Sequence, residues 1–406
     1  MDTTALIVAP PRGQEKYVTG LRLGERGRRV AIKAGVASGR AIVVRSASEL
    51  IAALPRLEGQ PLLFIRANRH IVALPLVEPL LGEPGARAAV DAAGDYAGAA
   101  YVAGDGARAL LEAVAADFEA GDAPVAATFE KVEVGDRARH PAWTRQEVKA
   151  ADAWQFQLIH KPLDGFLPAH YQRPLARPFT RMFLRLPLTP NMISVVSTIV
   201  SLAGCFIAAM PEWNLHIIGL AILLFGVILD ACDGEVARLR MQESKIGAWL
   251  DAAGDDIARI GLILAMGFHV SAAHPDWPVL WIMAGTVGLT VTGMLLIYWY
   301  CIFVLGSSSN QDYEAVLGVG NNVEVGDGGK SLKRWLGDIA TTAARRVFID
   351  PAALILALLG LSWVAFAGLA AGSVFALIVI LQAHIGIVQS RRRTRQAGRD
   401  PSLVGE

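Results

Sequence analysis

Three cysteines in 406 residues, Cys205, Cys232 and Cys301, lie far apart in apolar stretches and form no C-x-x-C pair. That excludes a disulfide framework and a zinc knuckle. Charge is also sparse, at 18% of residues against 53% hydrophobic, and the 38 Lys plus Arg almost cancel the 37 Asp plus Glu. The chain therefore has no global basic field of the kind a nucleic-acid binder carries. A positive mean hydropathy excludes a disordered or fibrous chain. No basic stretch followed by an apolar run occurs in the first thirty residues, so no cleavable signal peptide is expected and the N-terminus is expected to stay in the cytoplasm.

What is present divides near residue 190. Before it, short β-rich runs (Ala5 to Ala9, Ala41 to Val44, Leu62 to Arg66, Ala99 to Val102, Pro124 to Phe129) alternate with helical stretches at Ser48 to Leu57 and Ala107 to Phe118. This rhythm predicts an α/β sandwich around a mostly parallel sheet. After it, six apolar runs approach the length of about 20 residues that crosses a bilayer core, at 192–210, 214–231, 257–273, 279–304, 349–364 and 366–388. The connections predicted at Pro211 to Asn214, His274 to Pro278 and Trp363 to Gly372 hold no Lys or Arg. The basic residues of this half, from Arg238 and Arg240 to the run Arg391 to Arg393, fall opposite them. The positive-inside rule then puts both termini in the cytoplasm of a six-span inner-membrane protein.

The expected organisation is a cytoplasmic domain over 1–150, a junction over 151–190, a membrane domain over 191–390 and a basic tail over 391–406. In the junction, Phe179, Met182, Phe183 and Leu186 share a helical stripe interleaved with Arg173, Arg177, Arg181 and Arg185. Such a helix lies in the interface, its stripe among acyl chains and its guanidinium groups among phosphates. Gly306 to Gly329 reads as a polar loop and Lys330 to Arg346 as a second surface helix.

One stretch breaks the apolar pattern. Asp230 and Asp233 are three apart at the end of the second run, and Asp251 and Asp255 are four apart at the start of the third. Each pair shares a helix face. Four carboxylates at a membrane boundary are costly unless a cation neutralises them, and an all-oxygen set suits Mg²⁺ or Mn²⁺ better than zinc. Gly234, Ala237 and Gly247 leave the walls beside the acids nearly bare, and Arg238 offers a donor fork suited to phosphate. A pyrophosphate between two helices would use all of these features. Asp256 and Glu235 read instead as solvated acids.

The whole pattern, Asp230-x2-Asp233-Gly234-x2-Ala237-Arg238-x8-Gly247-x3-Asp251-x3-Asp255, resembles the signature of the CDP-alcohol phosphotransferase (CDP-alcohol phosphatidyltransferase) family, as does Thr189-Pro190-Asn191 ahead of the first run. The resemblance implies a six-helix membrane enzyme, a homodimer, that transfers a phosphoalcohol from a CDP-alcohol to an acceptor hydroxyl and releases CMP. It implies that Asp230, Asp233 and Asp251 ligate two divalent ions, with Asp255 as general base and at the metal edge. Gly234, Ala237, Gly247 and Arg238 would bind the nucleotide. The donor is either CDP-diacylglycerol, as in phospholipid synthesis, or CDP-inositol, and an acceptor phosphate would meet Arg173, Arg181, Lys333, Arg345 or Arg346. Lys161-Pro162-Leu163-Asp164-Gly165, Arg173-Pro174 and Trp143 to Ala153 resemble fusions of a cytidylyltransferase-like domain to such a membrane domain, the type that makes di-myo-inositol phosphate phosphate. This implies a Rossmann-like nucleotidyltransferase fold for residues 1–150.

Here the chain departs from that pattern. Val8-Ala9-Pro10-Pro11-Arg12-Gly13-Gln14 lacks paired glycines, and its prolines remove N–H donors that hold phosphate. Asn68 stands where a metal-binding Asp is kept. The first domain therefore reads as a fold that has lost catalysis, the alternative being an active cytidylyltransferase. A non-catalytic scaffold with inherited acids and a transporter are competing readings. The intact signature opposes the first, and the acids' place at the ends of spans opposes the second.

Overall fold

The computed structural model describes residues 3–57, 59–81, 85–103, 106–119, 121–159, 171–305 and 346–397. The predicted loop at Gly306 to Gly329, the second surface helix up to residue 345, the Lys161 to Gly165 motif, Lys333 and Arg345 lie outside them. The chain forms two compact units, one comprising Met1–His160 with Ala237–Gln242 and the other comprising Lys161–Val236 with Glu243–Glu406.

The first unit is built on a six-stranded sheet in the order β4-β1-β5-β8-β7-β9. Its strands are β1 (Thr4–Val8), β4 (Ala41–Val44), β5 (Leu62–Arg66), β7 (Arg87–Val90), β8 (Tyr96–Val102) and β9 (Glu130–Glu133), and two short ribbons pair β2 (Tyr17–Val18) with β3 (Leu21–Arg22) and β6 (His70–Val72) with β10 (Arg139–Pro141). Alternate residues of β1 and β5 feed opposite cores. Ile7, Leu63 and Ile65 pack with Val30 and Ala31 of α1 (Leu23–Lys33). Leu6, Leu62 and Phe64 pack with Leu50 of α2 (Ala47–Leu57) and Leu110 of α3 (Gly106–Ala116). An α/β sandwich results, as the period-two alternation requires.

The sheet is mostly parallel, as the rhythm predicts. β1 pairs in parallel with β4 and β5, and β7 with β9, while β8 alone is reversed, running antiparallel to β5 and β7. The strand predicted at Pro124 to Phe129 is instead α4 (Asp122–Ala126) and a turn, and the edge strand follows at β9. Asp122 and Pro124 fit the first turn of a helix, which outweighs the β character of Val125 and Phe129. Unit one closes with α5 (Arg145–Leu158), started by a capping box in which Thr144 Oγ1 accepts from Glu147 N at 3.2 Å and Glu147 Oε2 accepts from Thr144 N at 2.9 Å.

The second unit opens with α6 (Arg173–Phe183), followed by α7 (Pro190–Ala208), α8 (Trp213–Leu239), α9 (Lys245–Ala273) and α10 (Val279–Tyr300), the last prolonged by a π-helical turn, Cys301–Leu305. Next among the described residues are α11 (Arg346–Leu358) and α12 (Ser362–Ala397). Among the described residues, five helices are long and apolar enough to cross a membrane: Pro190–Ala208, Trp213–Leu239, Lys245–Ala273, Val279–Val304 and Ser362–Gln382. These make up a multi-pass membrane protein. The fifth predicted run, 349–364, falls on α11, whose 13 residues rise only about 20 Å, and on the start of α12.

Trp363 to Gly372 is helical rather than a connection. The reversal comes earlier, at Gly360, whose φ of +74° permits a Leu361 N–H to Leu356 C=O bond of 2.8 Å that ends α11 in a Schellman turn. The Lys- and Arg-free turns gather at one end. Trp213 Nε1 donates to Ala357 O at 3.1 Å, and the rings of Trp277 and Trp363 meet edge to face at 6.2 Å. At that end His216 and His269 stack in parallel, with centroids 3.6 Å apart.

Small residues set the helix packing. The buried stripe of α7 is Ser194, Ser197, Ser201, Gly204, Cys205 and Ala208. A Cβ on Gly204 would meet the backbone of Leu223, and one on Gly219 the backbone of Ala208, so α7 and α8 cross with main chain against main chain. All three cysteines are buried, and none forms a disulfide.

Candidate functional site

The acids gather where α8 and α9 face each other. Asp230 lies 17 residues along α8 from Trp213, roughly 25 Å at the helical rise, and so near the end opposite the tryptophan-rich turns. One carboxylate oxygen each from Asp230, Asp233 and Asp251 falls within 4.8 Å of the other two. Asp233 is buried, Asp230 half-buried and Asp251 exposed, so the cluster has a closed floor and an open mouth. Three like charges at that spacing repel unless a proton or a cation separates them.

The first membrane helix supplies donors beneath the acids. Thr189 caps α7 by accepting from Met192 N at 3.3 Å, Pro190 occupies its first turn, and this start aims the serine stripe at α8. Ser194 Oγ donates to Asp233 Oδ2. Ser197 Oγ lies 3.1 Å from Asp230 Oδ1 and 2.8 Å from Ser194 O. Sequence reasoning missed both serines, although polar residues three apart inside an apolar run were a signal. Ser194→Ala is expected to weaken divalent-ion affinity about 10-fold with little change in folding, which a Mn²⁺ titration would measure.

Asp255 is one turn beyond Asp251 and stands outside that three-acid group. It pairs with Arg346 at the start of α11. Arg346 in turn lies 3.4 Å from Asp350, which is almost fully buried. Asp350 was also missed, and a lone acid within a predicted span was its signal. The two acids read as solvated are not. Glu235 is buried and accepts from Thr180 Oγ1 at 2.6 Å, while half-buried Asp256 accepts from Tyr298 Oη. Each is held by a hydroxyl on a neighbouring helix that spacing along one segment does not reveal.

Around the cluster, Gly247 N donates to the cap residue Ser244 at 3.0 Å, and a Cβ on Gly247 would lie 3.0 Å from Asn191 Oδ1. Gly234 is half-buried on α8, while Ala237 and Arg238 occupy its last turn, in the segment that groups with the first unit. Arg173 and Arg181 lie on α6, the first buried and the second exposed. That helix turns Arg173, Ala176, Thr180 and Phe183 inward and leaves Leu175 and Met182 outward. The predicted stripe is thus split. Phe183 packs inward because Thr180 ties the helix to Glu235, and Phe179 meets Phe225 edge to face at 5.4 Å.

The donors fit a hard divalent ion. All three clustered ligand atoms are carboxylate oxygens, and hydroxyls orient two of the three acids from behind.

Comparison with known proteins finds relatives of the segment that carries these acids. The pattern of the CDP-alcohol phosphatidyltransferase family matches residues 187–312. The chain is 30% identical over 149 residues to a bifunctional IPC transferase and DIPP synthase of Aquifex aeolicus, covering 36% of this chain and 32% of that one. It is 33% identical over 100 residues to a phosphatidylinositol phosphate synthase of Mycobacterium tuberculosis, covering 24% of this chain and 45% of that one. The matches thus span a third to a half of these curated relatives' lengths. A crystal structure of the M. tuberculosis phosphatidylinositol phosphate synthase with CDP-DAG bound aligns with 52% of this chain and 93% of that one, at 21% identity and a TM-score of 0.31. Residues 187–312, which contain all four signature aspartates, are therefore the part of the chain that matches the CDP-alcohol phosphatidyltransferase family, a family of transferases.

Proposed function

We propose that the protein transfers a phosphoalcohol from a CDP-alcohol to the hydroxyl of an acceptor alcohol, releasing CMP, in phospholipid or inositol phosphodiester synthesis. The observation that carries this reading is the meeting of Asp230, Asp233 and Asp251 oxygens within 4.8 Å inside the segment that matches this family. These three would hold Mg²⁺ or Mn²⁺, two ions in all, with Asp255 at the edge of the site. When bound, such ions neutralise the pyrophosphate and the departing CMP.

The chain's own groups do the rest. Ser194 and Ser197 hold Asp233 and Asp230 in place, and Asp255 takes the proton of the attacking hydroxyl as its oxygen bonds to phosphorus and the bond from phosphorus to CMP breaks. Arg346, braced by Asp350, fixes the Asp255 carboxylate. Gly234, Ala237 and Gly247 leave room for cytidine, with Arg238 on phosphate. Arg173, Arg181, Lys333, Arg345 and Arg346 are the cations an acceptor phosphate would meet. The site opens to the cytoplasm, both termini lie there, α11 supplies the sixth span, and the protein works as a homodimer in the inner membrane. Residues 1–150 are a nucleotidyltransferase-like domain without catalysis, followed by the junction over 151–190, the membrane domain over 191–390 and the tail over 391–406.

CMP release by the purified full chain tests the reading. CDP-diacylglycerol and CDP-inositol, each with inositol phosphate, glycerol phosphate or serine, are expected to give CMP in at least one pair with Mg²⁺ or Mn²⁺, and none in EDTA. A chain that binds neither metal nor CMP is a scaffold.

A further inference from the structure

The segment after β1 does something that its composition conceals. Ala9 N bonds to Val44 O at 2.9 Å, and Gln14 N and Glu15 N both reach Pro11 O, so the chain folds back at the carboxyl ends of the parallel strands β4 and β1. There the Glu15 side chain is completely buried. Its Oε1 accepts from the backbone N–H of Gly24, in the first turn of α1, at 2.9 Å. Its Oε2 accepts no hydrogen bond and lies 3.6 Å from Arg45 and 3.8 Å from Arg22. Gly24 is bare where it must be, because a Cβ there would come within 2.9 Å of Glu15 Oε1 and 2.6 Å of Ala9 Cβ.

A helix N-terminus, two guanidinium groups and a close-packed glycine at the carboxyl ends of parallel strands make a cradle for phosphate oxygens. Here a carboxylate of the chain itself lies in it. The neighbouring strand end is occupied in the same way. Arg66, the last residue of β5, is held by the buried Asp122 and donates to Phe118 O at 3.0 Å, so at this strand end too a charged side chain is bound by a partner within the chain.

We infer that Glu15 is a built-in anion filling the phosphate cradle of the first unit, so that this unit takes no nucleoside triphosphate. Resting on the reading of the membrane domain given above, the CDP-alcohol must then be made elsewhere, by a reaction that joins the cytidylyl group of CTP to a phosphoalcohol and releases pyrophosphate. A tethered carboxylate wins because it is always at the site, whereas a free anion must be concentrated there.

The test uses the full chain in nanodiscs, with inorganic pyrophosphate as probe and EDTA present so that the acidic cluster holds no divalent ion. The wild type is expected to bind none. Glu15→Ala vacates the cradle and is expected to bind pyrophosphate at a concentration at least 10-fold below the highest at which the wild type shows no binding, a gain that Arg45→Ala in the same chain removes. CMP release from a supplied CDP-alcohol stays at the wild-type rate in Glu15→Ala. Independently of the variant's folding, the wild type is expected to release no pyrophosphate from CTP with inositol phosphate or phosphatidate. Pyrophosphate binding by the wild type, no gain in a folded Glu15→Ala, or pyrophosphate release from CTP would each overturn the inference. Loss of CMP release from every supplied CDP-alcohol would instead overturn the reading of the membrane domain, leaving the cradle result to stand by itself.

Discussion

Asp255→Asn is expected to slow CMP release by about 10²- to 10⁴-fold, the range a positioned general base contributes, while affinity for the CDP-alcohol changes less than about threefold. The asymmetry follows from where Asp255 lies. Its carboxylate pairs with Arg346 outside the three-acid group, and its side chain keeps 43% of its exposure, so it is open to an incoming hydroxyl. Asparagine keeps the shape and can still accept from Arg346, but it cannot take up the acceptor's proton at neutral pH. Arg346 also retains Asp350, so the substitution leaves no buried cation without a counter-charge. Single-turnover rates beside donor-binding isotherms check this. Should donor affinity fall in step with turnover, Asp255 is a metal ligand first and a base second.

Asp251→Asn should do the opposite, lowering donor affinity and turnover together by about 10²-fold or more, with excess Mn²⁺ recovering part of both. Asp251 is the exposed member of the cluster, so its loss costs little folding stability. Asp233→Asn is a poorer probe. That side chain is buried against Ser194, and its replacement perturbs the helix contact as well as the ion. Mn²⁺ binding followed by electron paramagnetic resonance separates the two variants, because Asp255→Asn should keep most of the bound signal and Asp251→Asn should lose most of it. A wild-type Mn²⁺ signal in Asp251→Asn would remove this residue from the ligand set.

The acids were legible before the fold because the relation that matters, three or four residues along a helix, is local. Asp230 with Asp233, and Asp251 with Asp255, share a face whatever the helices pack against. Partners were not legible. Nothing near Glu235 in the chain announces Thr180, 55 residues away, and nothing near Asp255 announces Arg346, 91 residues away. The apolar helices emerged from hydropathy, but their ends depended on single residues, as at Gly360, where a left-handed turn stops α11 before the predicted connection. In the first unit, β1, β4 and β5 were read correctly because their residues are apolar on both faces of a sandwiched sheet. β9, Glu-Lys-Val-Glu at an edge, has no such signal, and β character was assigned instead to the adjoining helix.

The bare crossing of α7 and α8 limits how a lipid could be served. Where Gly204 meets Leu223 and Gly219 meets Ala208, no side chain separates the two main chains. A seam without side chains has nothing to swing aside, so the pair travels as a single rod. Fatty tails of a membrane-borne donor must therefore slip out along some other flank of the bundle, and bulky substitutions in this seam would wedge the rod apart without widening any doorway for lipid.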